Sequence, residues 1–292
     1  NDIDLSEVCG EGIGSWSPIG FTDNQYSGTF DGKGYGIKNL YINGTSSGLG
    51  FFGMTKYATI SNLSILSGSV FSRGNTIGAL AGNAYQSTIS NCHNYISVSG
   101  GKFTGGIVGC TNGSTISKCH NEGDIKLQSD FGCGGICGAT YGANVSYCYN
   151  IGKITGSDRT GAIVGSHESG ASLKNSFAYN SSVPLIGYNA SSSSPKQCYL
   201  YDTKNDSSKD QFASGEICYL LNEGLVEPVF FQSIGSDEYP VLNGSDVVLK
   251  DELGYYNKSQ LTCEHKEKGT VAPTCMACGY NYCTKCHVKS DT

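Results

Sequence analysis

Two adjacent Cys–His pairs, Cys92–His93 and Cys119–His120, are the first candidates for chemistry in this sequence. They lie in the segments STISNCHN and STISKCHN, which begin at positions 87 and 114 and differ at one letter. Thiolate and imidazole groups bind transition metals, and a neighbouring Cys and His can form an activated nucleophile. Either chemistry needs both side chains on one side of the chain, so the elements that carry the pairs decide between a site and a structural repeat.

A second set of candidate ligands lies in residues 246–292, which contain CEH and CMACGYNYCTKCH. Two CxxC pairs separated by four residues are typical of tetrahedral zinc, because each pair can occupy one edge of the metal. Disulfides are the competing interpretation for an exported chain. The candidate zinc ligands are Cys275, Cys278, Cys283 and Cys286, with Cys263, His265 and His287 as alternatives.

The sequence around the Cys–His pairs repeats itself. The motifs GALAG, GGIVG, GGICG and GAIVG begin at positions 78, 105, 134 and 161, so their spacing is nearly constant, and LGFFG marks an earlier, degenerate copy. Apolar, Cys and Asn positions that follow the motifs keep the same step. Five coils are legible.

Composition and period together predict an all-β protein. Gly is abundant at 41 of 292 residues, only 15% of residues are charged, and the repeat units show no helical periodicity. A repeat of about 28 residues is shorter than a propeller blade or a helical repeat. We therefore predict a parallel β-solenoid whose coils stack roughly 4.8 Å apart.

Strand alternation sorts the residues of one coil into two faces. Cys92 and Asn94 share the inner face with apolar residues, which predicts a buried file of thiols and an amide ladder through the stack. His93 and His120 fall on the opposite face and are predicted to be exposed, so a Cys and its neighbouring His cannot share a metal. The predicted binding residues are His93, His120, Glu122, Tyr95 and Tyr149, and His93, His120 and Glu122 could together hold a transition metal adventitiously.

Charge and hydropathy limit the classes of partner that the chain is expected to bind. The net charge is −6 without a run of Lys or Arg, which argues against a nucleic-acid partner. No stretch reaches the ~18 to 20 apolar residues that a spanning helix requires, so we expect no membrane insertion within this chain. The first residues, NDIDLSEV, carry no signal-peptide pattern; if the chain is exported, its signal has already been removed.

We predict three regions. Residues 1–189 form the β-helix with an N-terminal cap, residues 190–245 form a C-terminal cap with one short helix, and residues 246–292 form a Cys-rich tail module. The helix is expected in SGEICYLLNEGL, with Ser214 as its N-cap and an acidic first turn.

The repeated G[GA][IL]xG followed by [IV]SxCxN resembles the GLUG repeat of secreted and surface proteins from Gram-positive and gut bacteria. PIGFTDNQYSGTFDGKGYGIKNLYI is similar to the segment that begins such arrays, and FASGEICYLLNEG and GSDEYPVL are similar to segments that close them. The resemblance covers about residues 15–243. It implies a right-handed parallel β-helix, a bacterial surface protein of the kind that includes regions preceding immunoglobulin A-cleaving metalloproteases, and an adhesive or spacer role. The resemblance implies no catalytic residue in this chain.

No HExxH or GxSxG motif is present, so the proteolytic activity of some relatives is not encoded here. Glycan-directed catalysis on a β-helix face would need gathered carboxylates, and no two acids share a predicted column. We predict a non-enzymatic extracellular or surface-anchored module that binds a host or cell-wall glycan or protein, or acts as a spacer, with no cofactor in the β-helix. The alternatives are a carbohydrate-active enzyme and a substrate-presenting region of a larger protease.

Overall fold

The chain divides into two compact units, Asn1–Asp206 and Ser207–Thr292. The computed structural model describes residues 1–129, 131–191, 193–202, 208–251, 254–261, 265–268 and 271–275. Within these residues, no helix has the length and apolar character needed to cross a membrane.

The strands of the first unit stack in parallel into four sheets, and the repeating coils add one strand after another to each sheet. Sheet 1 contains Ile3–Asp4, Thr29–Asp31, Gly36–Lys38, Thr59–Ile65, Thr88–Asn94, Thr115–Ser117, His120–Asn121, Asn144–Ser146, Tyr149–Asn150, Ser172–Ser181 and Lys196–Asp202. Sheet 2 contains Leu40–Gly44, Gly68–Ser72, Ser97–Gly100, Ile125–Leu127 and Ile154–Thr155. Sheet 3 contains Ile77–Gly78, Thr104–Gly105, Cys133–Gly134 and Thr160–Gly161. Sheet 4 contains Phe52–Lys56, Ala81–Tyr85, Val108–Asn112, Cys137–Tyr141, Val164–His167 and Ile186–Asn189.

The register between coils is the one that the repeat predicts. Ile89 pairs with Ile116, and Val98 pairs with Ile125. Each of these residues is almost completely buried in one continuous core. The predicted parallel β-solenoid is therefore confirmed.

A corner interrupts the strand that carries the first Cys–His pair. Asn91 has a φ of 51°, in the left-handed region, and the ladder to the preceding coil passes from Ser90 directly to Cys92. Lys118 and Tyr147 occupy the same place in the next two coils, with φ of 53° and 54°. The corner separates the Thr–Ile–Ser part of the strand from the Cys–His–Asn part.

The glycine motif is explained by the close approach of backbone segments. A Cβ on Gly105 would overlap the carbonyl oxygen of Val108, and a Cβ on Gly109 would overlap the backbone nitrogen of Ile77. Because the neighbouring atoms are backbone, they cannot move aside cheaply. The first and last positions of the motif therefore need Gly to bring sheets 3 and 4 together.

The first unit extends at both ends beyond the legible repeat. The Trp16 ring stacks on Phe51 with centroids 5.3 Å apart, and its indole N–H donates to the Phe51 carbonyl at 3.0 Å. At the other end, the strand Lys196–Asp202 pairs with Ser172–Ser181. The stacked strands thus continue past residue 189, where the repeat pattern predicts their end, because backbone pairing does not require the motif letters.

The second unit contains helices Lys209–Ala213 and Glu216–Asn222, a 3-10 helix Lys258–Leu261, and two antiparallel strand pairs, Val248–Asp251 with Gly254–Asn257 and His265–Lys268 with Val271–Cys275. The predicted helix is present as Glu216–Asn222, but its N-cap is Gly215 with a φ of 85°, not Ser214. Helix Lys209–Ala213 was not predicted.

Candidate functional site

A stack of four rings runs through sheet 1, where the sequence predicts binding residues. His93 pairs in register with His120, which pairs with Tyr149. The ring centroids of the two histidines are 4.1 Å apart with planes 18° apart, and those of His120 and Tyr149 are 4.6 Å apart. Phe177 continues the stack at 5.1 Å. We call His93, His120, Tyr149 and Phe177 the ring stack.

The prediction that the histidines are exposed is wrong. His93 is 7% exposed and His120 is 3% exposed. The rings cover one another's faces, and Tyr95 packs edge-on against His120 with centroids 5.4 Å apart. Side chains on the outer face of a strand are thus buried because their neighbours in the adjacent coils are flat rings of similar size.

Tyr95 and Glu122 bring the ring stack to the surface. His120 Nε2 lies 3.2 Å from Tyr95 Oη and 3.4 Å from Glu122 Oε1. Tyr95 is 40% exposed, and the side chain of Glu122 is 35% exposed. A ligand at this site would therefore meet the phenol and the carboxyl group, with His120 behind them.

Burial sets the protonation of these groups. It lowers the pKa of His93 to about 4. Burial, with repulsion from His93, lowers the pKa of His120 to about 2. Burial also raises the pKa of the Glu122 carboxyl. At neutral pH both imidazoles are uncharged, and each has one acceptor and one donor nitrogen.

Each imidazole has one nitrogen without a hydrogen-bond partner. His93 Nδ1 lies 3.4 Å from Ser64 Oγ, while His93 Nε2 and His120 Nδ1 are buried and unpartnered. A proton on Nε2 of His120 lets that ring donate to the Glu122 carboxylate and leaves Nδ1 as a buried acceptor. Such an acceptor is tolerated better than a buried, unpaired N–H. The site can thus hold a hydrogen-bonded Tyr95–His120–Glu122 cluster that exchanges hydrogen bonds with a ligand.

The geometry does not gather metal ligands around the histidines. The rings of His93 and His120 lie face to face, which directs their nitrogens side by side rather than towards one point. Among the residues that the structure describes, no group of three or more His, Cys, Asp or Glu side chains is arranged to hold a metal ion.

The predicted zinc ligands of the tail lie largely outside the described residues. This applies to Cys263, Cys278, Cys283, Cys286 and His287. For His265 and Cys275 only the backbone is described, in paired strands. Zinc and disulfides both remain predictions for this segment.

The predicted Cys column lies in the core. Cys92, Cys119 and Cys148 are fully buried and free. The Sγ atoms of Cys92 and Cys119 lie 3.3 Å and 3.2 Å from the carbonyl oxygens two residues earlier in the chain. Burial raises the pKa of both thiols well above its usual value. Burial therefore disfavours the thiolate, which is the reactive form of a thiol.

The amide ladder beneath the ring stack is also confirmed. Asn94 Nδ2 donates to Asn121 Oδ1 at 2.6 Å, and Asn121 Nδ2 donates to Asn150 Oδ1 at 2.7 Å. Each of the three amides also donates to the carbonyl oxygen two residues later. The ladder adds side-chain hydrogen bonds to the backbone pairing that spaces the coils and the rings next to it.

A second surface was missed by the sequence analysis. The guanidinium of Arg159 lies between the rings of Phe131 and Tyr188, and Lys102 Nζ lies 4.8 Å from the centre of the Phe131 ring. The signal that could have found it is position relative to the glycine motifs. Phe103, Phe131 and Arg159 each come two or three residues before the first Gly of a motif, and the first two are both Phe. We call Lys102, Phe103, Phe131, Arg159 and Tyr188 the aromatic–cation patch.

No protein-family model matches the chain. A segment of 88 residues, 29% of the chain, is 35% identical to a protein named "Putative Gly-rich membrane protein" from Evansella cellulosilytica. The chain spans about 10% of the length of that curated relative. No solved structure matches the chain.

Proposed function

We propose that the chain is a non-enzymatic extracellular module of a bacterial surface protein, built from GLUG-type repeats, that binds a glycan or a protein of the host or the cell wall. The observation that carries the proposal is the pair of surface groups, Tyr95 and Glu122, held in place by the buried ring stack. Their shared contact with His120 orders both side chains before any ligand arrives, which reduces the entropy cost of binding. A phenol beside a carboxyl group can stack on a sugar and accept hydrogen bonds from its hydroxyls.

A spacer role belongs to the same proposal. In a solenoid each coil contacts only its neighbours, so length can grow by repetition while a surface group keeps its setting. The regular register from Thr88 to Thr115 and on to Asn144 supports this.

One observation favours the enzymatic alternative. The pKa of Glu122 is raised by burial, as in a general acid. A glycosidase would need a second carboxylate within roughly 10 Å, the upper spacing for an inverting enzyme. Turnover must therefore be measured together with binding.

A glycan array and a turnover screen on the purified chain test the proposal. We expect binding without product formation, and we expect the variant Tyr95→Ala/Glu122→Gln to bind less. Tyr57→Ala is the matched control, because Tyr57 is 63% exposed and lies away from the ring stack. Product release that Glu122→Gln abolishes would contradict the non-enzymatic proposal.

A further inference from the structure

The aromatic–cation patch holds an arginine between two aromatic rings. Arg159 Cζ lies 4.1 Å from the centre of the Tyr188 ring and 4.7 Å from that of Phe131. The Phe103 ring meets Phe131 edge to face, with centroids 5.9 Å apart. A guanidinium clamped in this way has lost most of its rotamer freedom, so little more is lost when a ligand binds.

The patch is assembled by successive coils. The backbone N–H of Phe103 donates to the Phe131 carbonyl at 3.2 Å, and the N–H of Cys133 donates to the Arg159 carbonyl at 3.0 Å. Tyr188 belongs to the last strand of sheet 4 and pairs with Ser166. Each coil thus contributes a ring or a cation, and consecutive contributions are roughly 4.8 Å apart along the stack.

The cations of the patch have no acidic partner among the described residues. The described ion pair is Lys38 with Asp2, and Glu122 contacts His120, which is uncharged at neutral pH. No described residue accepts a hydrogen bond from the Arg159 side chain, and Lys102 is exposed. Two cations therefore converge on the Phe131 ring in a chain whose net charge is −6. Two cations without an ion pair among the described residues are complementary to an anion.

We propose that the aromatic–cation patch binds an anionic glycan, a linear polysaccharide whose sugars carry carboxylate groups. A guanidinium forms two parallel hydrogen bonds with a carboxylate, and Lys102 supplies a second charge for the next acidic sugar. Tyr188 is 40% exposed, so the part of its ring that Arg159 leaves uncovered can contact the C–H side of a pyranose ring. A repeating polymer suits a surface that repeats along the solenoid axis. The inference rests on the proposed binding function and names its ligand class.

Calorimetric titration of the full chain with oligogalacturonate tests the inference, and the methyl-esterified oligomer has the same backbone without the charges. We expect binding of the acid that weakens at high ionic strength, and much weaker binding of the ester. Arg159→Gln should weaken acid binding about tenfold or more, because a charged pair of hydrogen bonds is lost. The affinity of Arg159→Lys for the acid should lie between those of the parent chain and Arg159→Gln, since Lys keeps the positive charge but cannot form two parallel hydrogen bonds.

Lys56→Gln is the matched control. It removes the same charge from another cation that lies over two rings, Tyr57 and Tyr85, at 5.5 Å and 5.7 Å. Equal losses from Lys56→Gln and Arg159→Gln would overturn the inference, because the effect would be net charge. Equal affinity for the ester, or equal affinity for a poly-glutamate peptide, would also overturn it. Circular dichroism of each variant confirms that the fold is intact.

Failure of the inference and failure of the proposed function have different signatures. If the chain binds array glycans through Tyr95 and Glu122 but not oligogalacturonate, the patch inference fails and the binding function stands. If Glu122-dependent turnover of oligogalacturonate is found and Arg159→Gln lowers its affinity, the non-enzymatic proposal fails and the patch stands.

Discussion

The thiols of Cys92, Cys119 and Cys148 occupy one inner column, and each is completely buried. We predict that they resist iodoacetamide in the folded chain and react only after unfolding, because burial denies the reagent access to all three and raises the pKa of the Cys92 and Cys119 thiols. Mass spectrometry of peptides labelled before and after denaturation in urea gives the measurement. Rapid labelling of Cys119 under native conditions would show that the column is not core.

Ser176 indicates that the column of Cys92, Cys119 and Cys148 can accommodate a hydroxyl group. Ser176 follows Cys148 in the same column, and its Oγ donates to the Lys174 carbonyl at 2.7 Å. In Cys119→Ser the new hydroxyl would donate a hydrogen bond to the Ser117 carbonyl, which the thiol contacts at 3.2 Å in the parent chain. We therefore expect a loss of no more than about 1 kcal/mol in the free energy of unfolding. Urea unfolding measures it, and a loss above about 3 kcal/mol would contradict the assignment of this hydrogen bond.

The middle amide of the ladder is expected to matter more. Asn121 accepts from Asn94 and donates to both Asn150 and the Gly123 carbonyl. Asn121→Ala removes a hydrogen bond from one buried donor and from two buried acceptors, so the free energy of unfolding should fall by about 2 to 3 kcal/mol. Asn112→Ala, at an exposed position, is the matched control and should change stability by less than about 0.5 kcal/mol. Similar effects of the two substitutions in urea unfolding would refute a role for the ladder.

At the scale of the stacked strands, the ring stack predicts a dependence of stability on pH. The pKa of His93 is lowered from 6.5 to about 4 in the folded chain, and that of His120 is lowered to about 2. The unfolded chain therefore takes up protons first as pH falls below about 6.5, which favours unfolding. Between pH 6.5 and 4 each histidine should remove about 3 kcal/mol of stability. Glu122 acts in the opposite direction, because its raised pKa makes the folded chain bind a proton earlier.

A variant isolates this contribution from the acid effects of other groups. Phe already continues the stack at position 177, so His93→Phe should keep the stacking and remove one titrating group. We expect the urea midpoint of His93→Phe to fall less between pH 6.5 and 4 than that of the parent chain. Parallel pH profiles would mean that His93 is protonated in the fold and that its burial does not hold in solution.

The glycine motif makes a prediction about how sheets 3 and 4 meet. Gly109→Ala places a methyl group against the backbone of Thr76 and Ile77. We expect a loss of about 3 kcal/mol, at the upper end of typical overpacking effects. Gly44→Ala is the control, because its new Cβ would lie 3.9 Å from Leu49 Cδ1, an ordinary contact. If urea unfolding finds the two variants equally stable, the close approach is not what the motif encodes.

For the whole molecule, most of the structure that can be predicted from the sequence follows from the repeat. The nearly constant spacing of the glycine motifs fixes the register, and the register fixes which side chains meet between coils. The inner columns of Cys92 and Asn94, and the contact of Glu122 with His120, follow from alternation alone. Alternation also places His93 outside, where it lies, but it cannot show that stacked rings bury it.

The sequence could not predict the features that depend on backbone geometry. Asn is common in the left-handed region, but Lys118 and Tyr147 are not residues that indicate it. Each lies next to a residue of the same conformation in the preceding coil, Asn91 before Lys118 and Lys118 before Tyr147. The contacts of Arg159 could not be predicted for a related reason: Phe recurs only at positions 103 and 131, at different distances from the glycine motif, and only the coil register brings Arg159 and Tyr188 to the same place.

The same register makes the coils interchangeable in principle, and removal of one coil tests this. In the intact chain the Glu122 N–H donates to the Asn94 carbonyl at 2.8 Å, so deletion of residues 95–121 joins two points that are already adjacent. The shortened chain should keep its β-sheet circular dichroism and unfold cooperatively, with a smaller urea m-value because less surface becomes exposed. Deletion of residues 95–118 joins Asn94 to Cys119 and shifts every later column by three residues, so it should abolish cooperative unfolding. Equal loss of structure in both deletions would mean that the coils depend on long-range contacts rather than on their nearest neighbours.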